Sequence, residues 1–414
     1  MSSRGAARVL IFSAALTAAT SAGAQTFIDA LTNGAPLADV RLRYENIEQS
    51  NKPKTAEATT LRARLGYQSG EYLGFTGLAE ADIVQHIGPR HFNDTINGLT
   101  AYPAIPDPEM VALNRLQLAY SARLFAGTDV MPDFKLILGR QRISFGDARF
   151  IGNAGWRQHE QTYDAISAAD APSKDVTFSY AYVARVNRIF GPESPIGTFN
   201  SHSHLINLVY TGVSHLKIES YAYLLDLVQA PALSTATYGA RGEASFPLGS
   251  ATTLNINAAA AHQQDYGRNP RSVDLGYYLL EGGVGYDGFT GLVGYEGLQG
   301  NGAIGFQTPL ASLHLFQGWA ETFVTNPPNG IEDIYVKASY GVPVPPLVQR
   351  LSVTGIYHDY SAEHVRLDYG NEWDAQLEAQ IDRRLVLDAA YANFNGKGAF
   401  PDKKAFWLYA TYRY

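Results

Sequence analysis

From about Leu37 to the C-terminal Tyr414 the chain is written in segments of 9 to 13 residues in which apolar and polar side chains alternate, with turns between them. A period of two sends successive side chains to opposite faces of a strand. Such segments read near 37–47, 58–68, 74–85, 112–124, 134–143, 161–168, 174–185, 204–212 and 215–226. The second half adds 237–246, 252–262, 275–287, 289–300, 332–342, 349–360, 372–382, 385–394 and 404–414. The total is about 18, an even number, and a tilted strand needs roughly 9–11 residues to cross a bilayer. Short connections (212–214, 287–288, 382–384, 247–251) alternate with long ones (86–111, 144–160, 186–203, 301–331, 361–371). A membrane barrel sorts its connections in this way, turns at one end and loops at the other, whereas a soluble sandwich has no need to. The expected fold class is all-β: a transmembrane antiparallel β-barrel of about 18 strands.

The apolar parity of each strand is expected to face lipid. Val40, Leu42 and Tyr44 make one such row, Val176, Phe178, Tyr180 and Tyr182 another, and Trp373, Ala375, Leu377 and Ile381 a third. Tyr 26 and Phe 19 against Met 3 is the balance of a strand-rich chain with aromatic girdles at the membrane interfaces. In the last strand Phe406, Leu408, Ala410, Tyr412 and Tyr414 share one parity and end on an aromatic. That ending is similar to the C-terminal signal read by the barrel-assembly machinery, an expected partner alongside outer-membrane lipid.

Residues 1–24 read as a secretory signal peptide. Arg4 and Arg8 supply a positive start, Val9 to Ala19 an apolar run, and Ala22-Gly23-Ala24 a small-residue cleavage site before Gln25. The apolar run falls well short of the ~20 residues of a spanning helix. Residues 25–414 then form one barrel domain in the Gram-negative outer membrane, preceded by a stub, Phe27 to Leu31, long enough for a turn of helix. Zero cysteines remove disulfides, thiolate metal sites and cysteine nucleophiles. A net charge of −7 argues against a nucleic-acid partner. His202-Ser203-His204 has no evident third ligand, so no metal is expected. No catalytic constellation or phosphate-cradling glycine loop stands out, so neither an enzyme nor a cofactor is expected.

The opposite parity is expected to line the lumen. It contributes Asp39, Arg41, Arg43 and Glu45, then Arg62, Arg64 and Gln68, then Arg115, Gln117 and Arg123. Arg185, Arg241 and Glu243 follow, and the late strands turn acidic with Asp374, Gln376, Glu378, Gln380 and Asp382. Closing the last strand onto the first brings the acidic strands near the basic ones, a transverse field suited to orienting a charged, hydroxylated solute. Loop 301–331, with His314, Trp319 and Glu321, is long enough to fold into the pore or to cap it from outside.

The stretch 138–165, LGRQRISFGDARFIGNAGWRQHEQTYDA, groups Arg140, Arg142, Arg149 and Arg157 with Asp147, Glu160 and Asp164, and its four arginines and Asp164 are expected to line the pore and face the solute. Guanidinium groups at this density need carboxylates, phosphates or sulfates to face. Arg140 and Arg142 share parity with Leu136 and Leu138, so either they lie above the membrane or a bulge turns them inward. GRQR followed by RFIGN, GWRQ and EQTYDA resembles the alginate-export family of Gram-negative outer-membrane barrels. TPLASLHLFQGWAETF (308–323), the following Asn326-Pro327-Pro328-Asn329-Gly330 and the opening Leu42-Arg43-Tyr44-Glu45 resemble it too. The resemblance implies an 18-stranded pore and suggests an alginate-like anionic polysaccharide as cargo; the Arg-lined lumen is expected to pass anionic or polar saccharide-like solutes. A plugged barrel with an enzymatic (lipolytic) or adhesive role is the alternative.

Overall fold

The structure, a computed structural model, describes residues 26–121, 134–344 and 348–414. The expected signal peptide, its cleavage position and Arg123 lie outside the described residues. Every expected segment is a strand: β1 (Ala35–Gln49), β2 (Ala56–Gln68), β3 (Phe75–His86), β4 (Met110–Ser121), β5 (Lys135–Gln141) and β6 (Thr162–Ser173). Next come β7 (Val176–Asn187), β8 (Thr198–Val213), β9 (Leu216–Leu224), β10 (Thr235–Pro247), β11 (Thr252–Asp265) and β12 (Asp274–Tyr286). The ring is completed by β13 (Phe289–Leu298), β14 (Ile331–Val342), β15 (Arg350–Ser361), β16 (Asp368–Gln380), β17 (Leu385–Gly396) and β18 (Lys403–Arg413).

All 18 strands belong to one sheet in which sequence neighbours pair antiparallel and β1 also pairs β18, so the sheet is a closed barrel. Closure removes the unpaired edges that an open sheet would expose. At one end the connections are tight, 174–175, 214–215, 248–251, 287–288 and 381–384. The other end carries 87–109, 142–161, 188–197 and 299–330, but also 50–55 and 397–402, so the alternation of lengths is less strict than expected. A short helix, α1 (Phe27–Thr32), stands before β1 at the turn end, its start fixed by a capping box between Thr26 and Asp29.

The expected parities hold along most strands. Leu42, Leu65, Leu116, Leu138, Ile166, Phe178, Leu208, Ile334, Leu377 and Leu408 are exposed on the outer surface and form an apolar belt. A belt that continuous is costly in water and matches hydrocarbon. The hydrophobic core, by contrast, sits inside the ring. Ile151, Phe306, Leu310 and Phe323, from connections 142–161 and 299–330, pack there against Tyr163, Tyr277 and Tyr360 of the wall.

Candidate functional site: a lumen crossed by two segments

Residues 142–161 leave β5, turn inward and are bound to the β1–β4 wall. Arg41 Nη1 donates to the Trp156 carbonyl at 2.9 Å, and Arg43 Nη1 donates to the same oxygen at 2.7 Å. Arg64 Nη2 donates to the Gln158 carbonyl at 3.0 Å, and the Gln158 amide donates to Thr60 Oγ1 at 2.8 Å. Glu160 pairs with Arg64 at 3.2 Å and with Arg142 at 2.5 Å, and accepts from Asn114 at 2.6 Å. His159 Nδ1 lies 3.0 Å from Asp82. Arg157 bridges Glu45, at 3.4 Å, and Glu321.

Residues 299–330 also enter the lumen, so the external-cap alternative falls. Their backbone is held by the acidic wall: Ala320 N–H donates to Glu372 Oε1 at 2.6 Å and Trp319 N–H to Asp374 Oδ2 at 3.2 Å. Each segment leans on the other. Gly152 N–H donates to the Leu310 carbonyl at 2.9 Å, Ser312 N–H to the Ala148 carbonyl at 3.0 Å, and Ala154 N–H to Ser312 Oγ at 3.1 Å. Between them runs a ladder of flat groups. The Arg43 guanidinium lies 4.5 Å above the Trp156 ring, which stacks on His314 at 3.6 Å, which faces Trp319 at 6.3 Å. Trp319 is thus a lumenal residue, half-buried in the second segment.

The wall arginines point inward and are buried; Arg41, Arg43 and Arg64 hold the first segment, whereas, among the described residues, Arg62 is bonded only within the wall. Arg41 is 8% exposed, Arg43 1%, Arg62 0% and Arg64 4%. Arg62 pairs with Asp39, and Arg64 with Asp82 at 3.0 Å as well as Glu160. Arg41 makes no ion pair among the described residues; its side-chain bonds run to Thr411 and two carbonyls. Arg115 faces inward and grips Glu80 through two bonds of 2.8 and 2.7 Å. A register shift between Glu80 and Ala81 leaves Asn114 as the extra residue of β4, so Asn114 reaches Glu80 as well, at 2.7 Å. Arg149 is fully enclosed against Glu296 at 2.7 Å, and Arg241 joins Asp147 and Glu243. Asp374 is buried at the base of the second segment, whereas Glu378 sits near the turn end with Arg350 at 2.5 Å.

Three expectations need correction. Arg140 and Asp164 do not line the pore. They form a two-bond pair (2.7 and 3.0 Å) on the outer face, one step beyond Leu138 and Ile166. Arg185 is outward too, because a bulge after Val183 resets the parity of β7. The two arginines of β5 therefore part company: Arg140 keeps the outward parity, while Arg142, past the end of the strand, reaches inward to Glu160 and Glu80. His202 and His204 also face outward, each bonded to a tyrosine. Sequence reasoning passed over Glu80 and Asp82, whose inward parity on β3 was available, and Trp156, for which a non-periodic loop offers no signal.

Burial alone would raise the Glu160 carboxyl, but Arg64 and Arg142 outweigh it and hold the group at about 2. Burial pushes the His314 imidazole down to about 4, against the opposing pull of Glu321. Arg157 is held above its ordinary value: burial disfavours its charge, but Glu321 and Glu45 together outweigh that. On the loop side of these contacts lies a cavity of about 720 Å³, lined in part by Trp156, Arg157, Arg188, His314, Glu321 and Lys403.

No family model matches the chain, and no curated protein matches it. Solved structures do. The crystal structure of Acinetobacter baumannii OccAB4 is 16% identical, with a TM-score of 0.70 over 92% of this chain and 98% of that one. Pseudomonas aeruginosa OpdO is 13% identical, with a TM-score of 0.69 over 94% of this chain and 98% of that one. Pseudomonas aeruginosa OccK1 (OpdK) is 14% identical, with a TM-score of 0.68 over 93% of this chain and 99% of that one. The likeness is one of fold, spanning essentially the whole barrel.

Proposed function

We propose that the protein is a passive channel of the Gram-negative outer membrane, admitting anionic or polar saccharide-like solutes. The supporting observation is the crossed lumen. Two segments narrow it between the inward arginines of β1, β2 and β4 on one side of the β18–β1 seam and the buried carboxylates Asp333, Glu372, Asp374 and Asp388 of β14, β16 and β17 on the other. Charge-lined, narrow passages concentrate solutes of opposite sign and orient dipolar ones. The resemblance of 139–165 and 308–330 to alginate-export barrels supports a polyuronate-like cargo. No catalytic step is needed for this role.

Arg41, the inward wall arginine of β1 and β2 with no ion pair among the described residues, is the residue to test. In bulk water a charge pair at ~4 Å is worth about 1 kcal/mol, and more in a confined, poorly screened lumen. The reversal potential of a purified channel across a salt gradient is expected to shift toward cations in Arg41→Gln. Permeation of an oligouronate should fall more than that of a neutral sugar, and both effects should shrink at high salt. An unchanged reversal potential would make the arginine wall purely structural. If the wild type shows no stable open channel at all, the barrel is plugged; the hydrophobic packing inside the ring favours that second reading.

A further inference from the structure

On the outer face, at the loop end, one row of residues runs straight across four strands: Arg140 on β5, Asp164 on β6, Arg185 on β7 and Asn200 on β8, each the register partner of the next. Immediately below it on the same face lie Leu138, Ile166 and then Tyr182, the upper margin of the apolar belt. This is the height at which a bilayer passes from acyl chain to headgroup. Arg140 spends its guanidinium on Asp164 and the Leu113 carbonyl. Arg185 does not. It is exposed, its Nε donates to neutral Asn200 at 3.2 Å, and neither terminal nitrogen has a hydrogen-bond partner among the described residues.

Beside it stand two imidazoles in a fixed pose. The Tyr182 hydroxyl lies 3.1 Å from His202 Nδ1 and the Tyr180 hydroxyl 2.8 Å from His204 Nδ1. With each hydroxyl donating, Nε2 carries the ring proton and is a free donor. On β12, β14 and β15 the same end of the outer face carries acids instead, Asp274, Glu332 and Asp359. A planar guanidinium with two free N–H groups, flanked by imidazole donors above an apolar wall, matches a phosphate joined to acyl chains.

We infer that the β5–β8 arc of the outer rim docks a phosphate-bearing glycolipid headgroup of the outer leaflet, with Arg185 as its centre. The inference rests on the outer-membrane placement proposed above, but not on conduction. The test is native mass spectrometry of the full-length barrel in neutral detergent, titrated with bisphosphorylated lipid A, with the same lipid lacking phosphates, and with inorganic phosphate. The wild type should retain the bisphosphorylated lipid. Arg185→Gln should weaken retention by about ten-fold, the scale of a lost charge-assisted bond. Arg185→Lys should fall between, and heat-modifiability should show all three folded. Equal retention by wild type and Arg185→Gln overturns the inference, as does equal retention of the dephosphorylated lipid. Displacement of the lipid by equimolar inorganic phosphate would mean a small-anion site, and an Arg185-dependent dimer mass would mean a second copy of the chain; either overturns it. Conductance is recorded separately in neutral lipid, where its absence removes the channel reading and leaves the lipid result standing.

Discussion

A buried guanidinium whose charge is not answered costs several kcal/mol of desolvation. Here Arg43, Arg62, Arg64 and Arg149 are answered one by one by Glu45, Asp39, Asp82 with Glu160, and Glu296. Glu160 is the residue on which the first segment is most exposed to perturbation, because it faces two arginines. Its folded carboxyl lies at about 2 against an ordinary 4.5, so its contribution is complete above 4.5 and is lost as pH falls from there through 2. Acidification over that window is expected to free residues 155–160 and raise single-channel conductance. Glu160→Gln should do the same at neutral pH, at a cost of about 3–5 kcal/mol in the segment's attachment. A conductance independent of both would show that the segment is held by other contacts. At this scale the sequence was half legible. Parity marked Arg41, Arg43, Arg62, Arg64 and Arg115 as inward, but it could not say that four of them would be buried. It misplaced Arg185, which a bulge turns outward, whereas Arg140 and Asp164 keep the outward parity of Leu138 and Ile166, and the expectation that they line the pore ran against it.

At the level of elements the strands were legible because each repeats a physical rule, one face in hydrocarbon and one in water, over many residues. Connections obey no such rule. Residues 142–161 and 299–330 are buried by partners far away in sequence, and only their length hinted at an inward course. The two approach tightly at Gly152, where an added Cβ would stand 2.3 Å from Ser312 Oγ and 3.1 Å from the Ser312 backbone nitrogen of the other segment. The serine hydroxyl can swing aside; the backbone nitrogen cannot, and a valine adds two further methyls. Gly152→Val is therefore expected to prise the segments apart at a cost of roughly 1–3 kcal/mol. The barrel itself should still form. Limited proteolysis from the loop side should then cut within 144–161 in the variant but not in the wild type, and equal resistance would show that the two segments do not depend on each other.

For the molecule as a whole, closure is the decisive event, and it takes place between the two ends of the chain. β18 lies along β1 from Asp39 opposite Arg413 to Gln49 opposite Lys403, and Tyr414 N–H donates to the Ala38 carbonyl at 2.8 Å. Tyr414 itself is exposed, its ring under the Arg384 guanidinium at 4.7 Å. Deleting Tyr414, or replacing it by Asp, is expected to cut the yield of heat-modifiable barrel in the outer membrane several-fold, through loss of an apolar end to the final strand. Normal yields would dissociate the terminal aromatic from assembly. The two in-folded segments also have a mechanical meaning. One is tied to β1–β4, the other to β13–β16, and each is tied to the other, so together they act as spokes within a hoop. A hollow hoop under sideways load flattens easily, whereas a spoked one keeps its cross-section. The bilayer presses on this barrel from every side, and the shape of its opening should stay nearly the same from a slack membrane to a taut one.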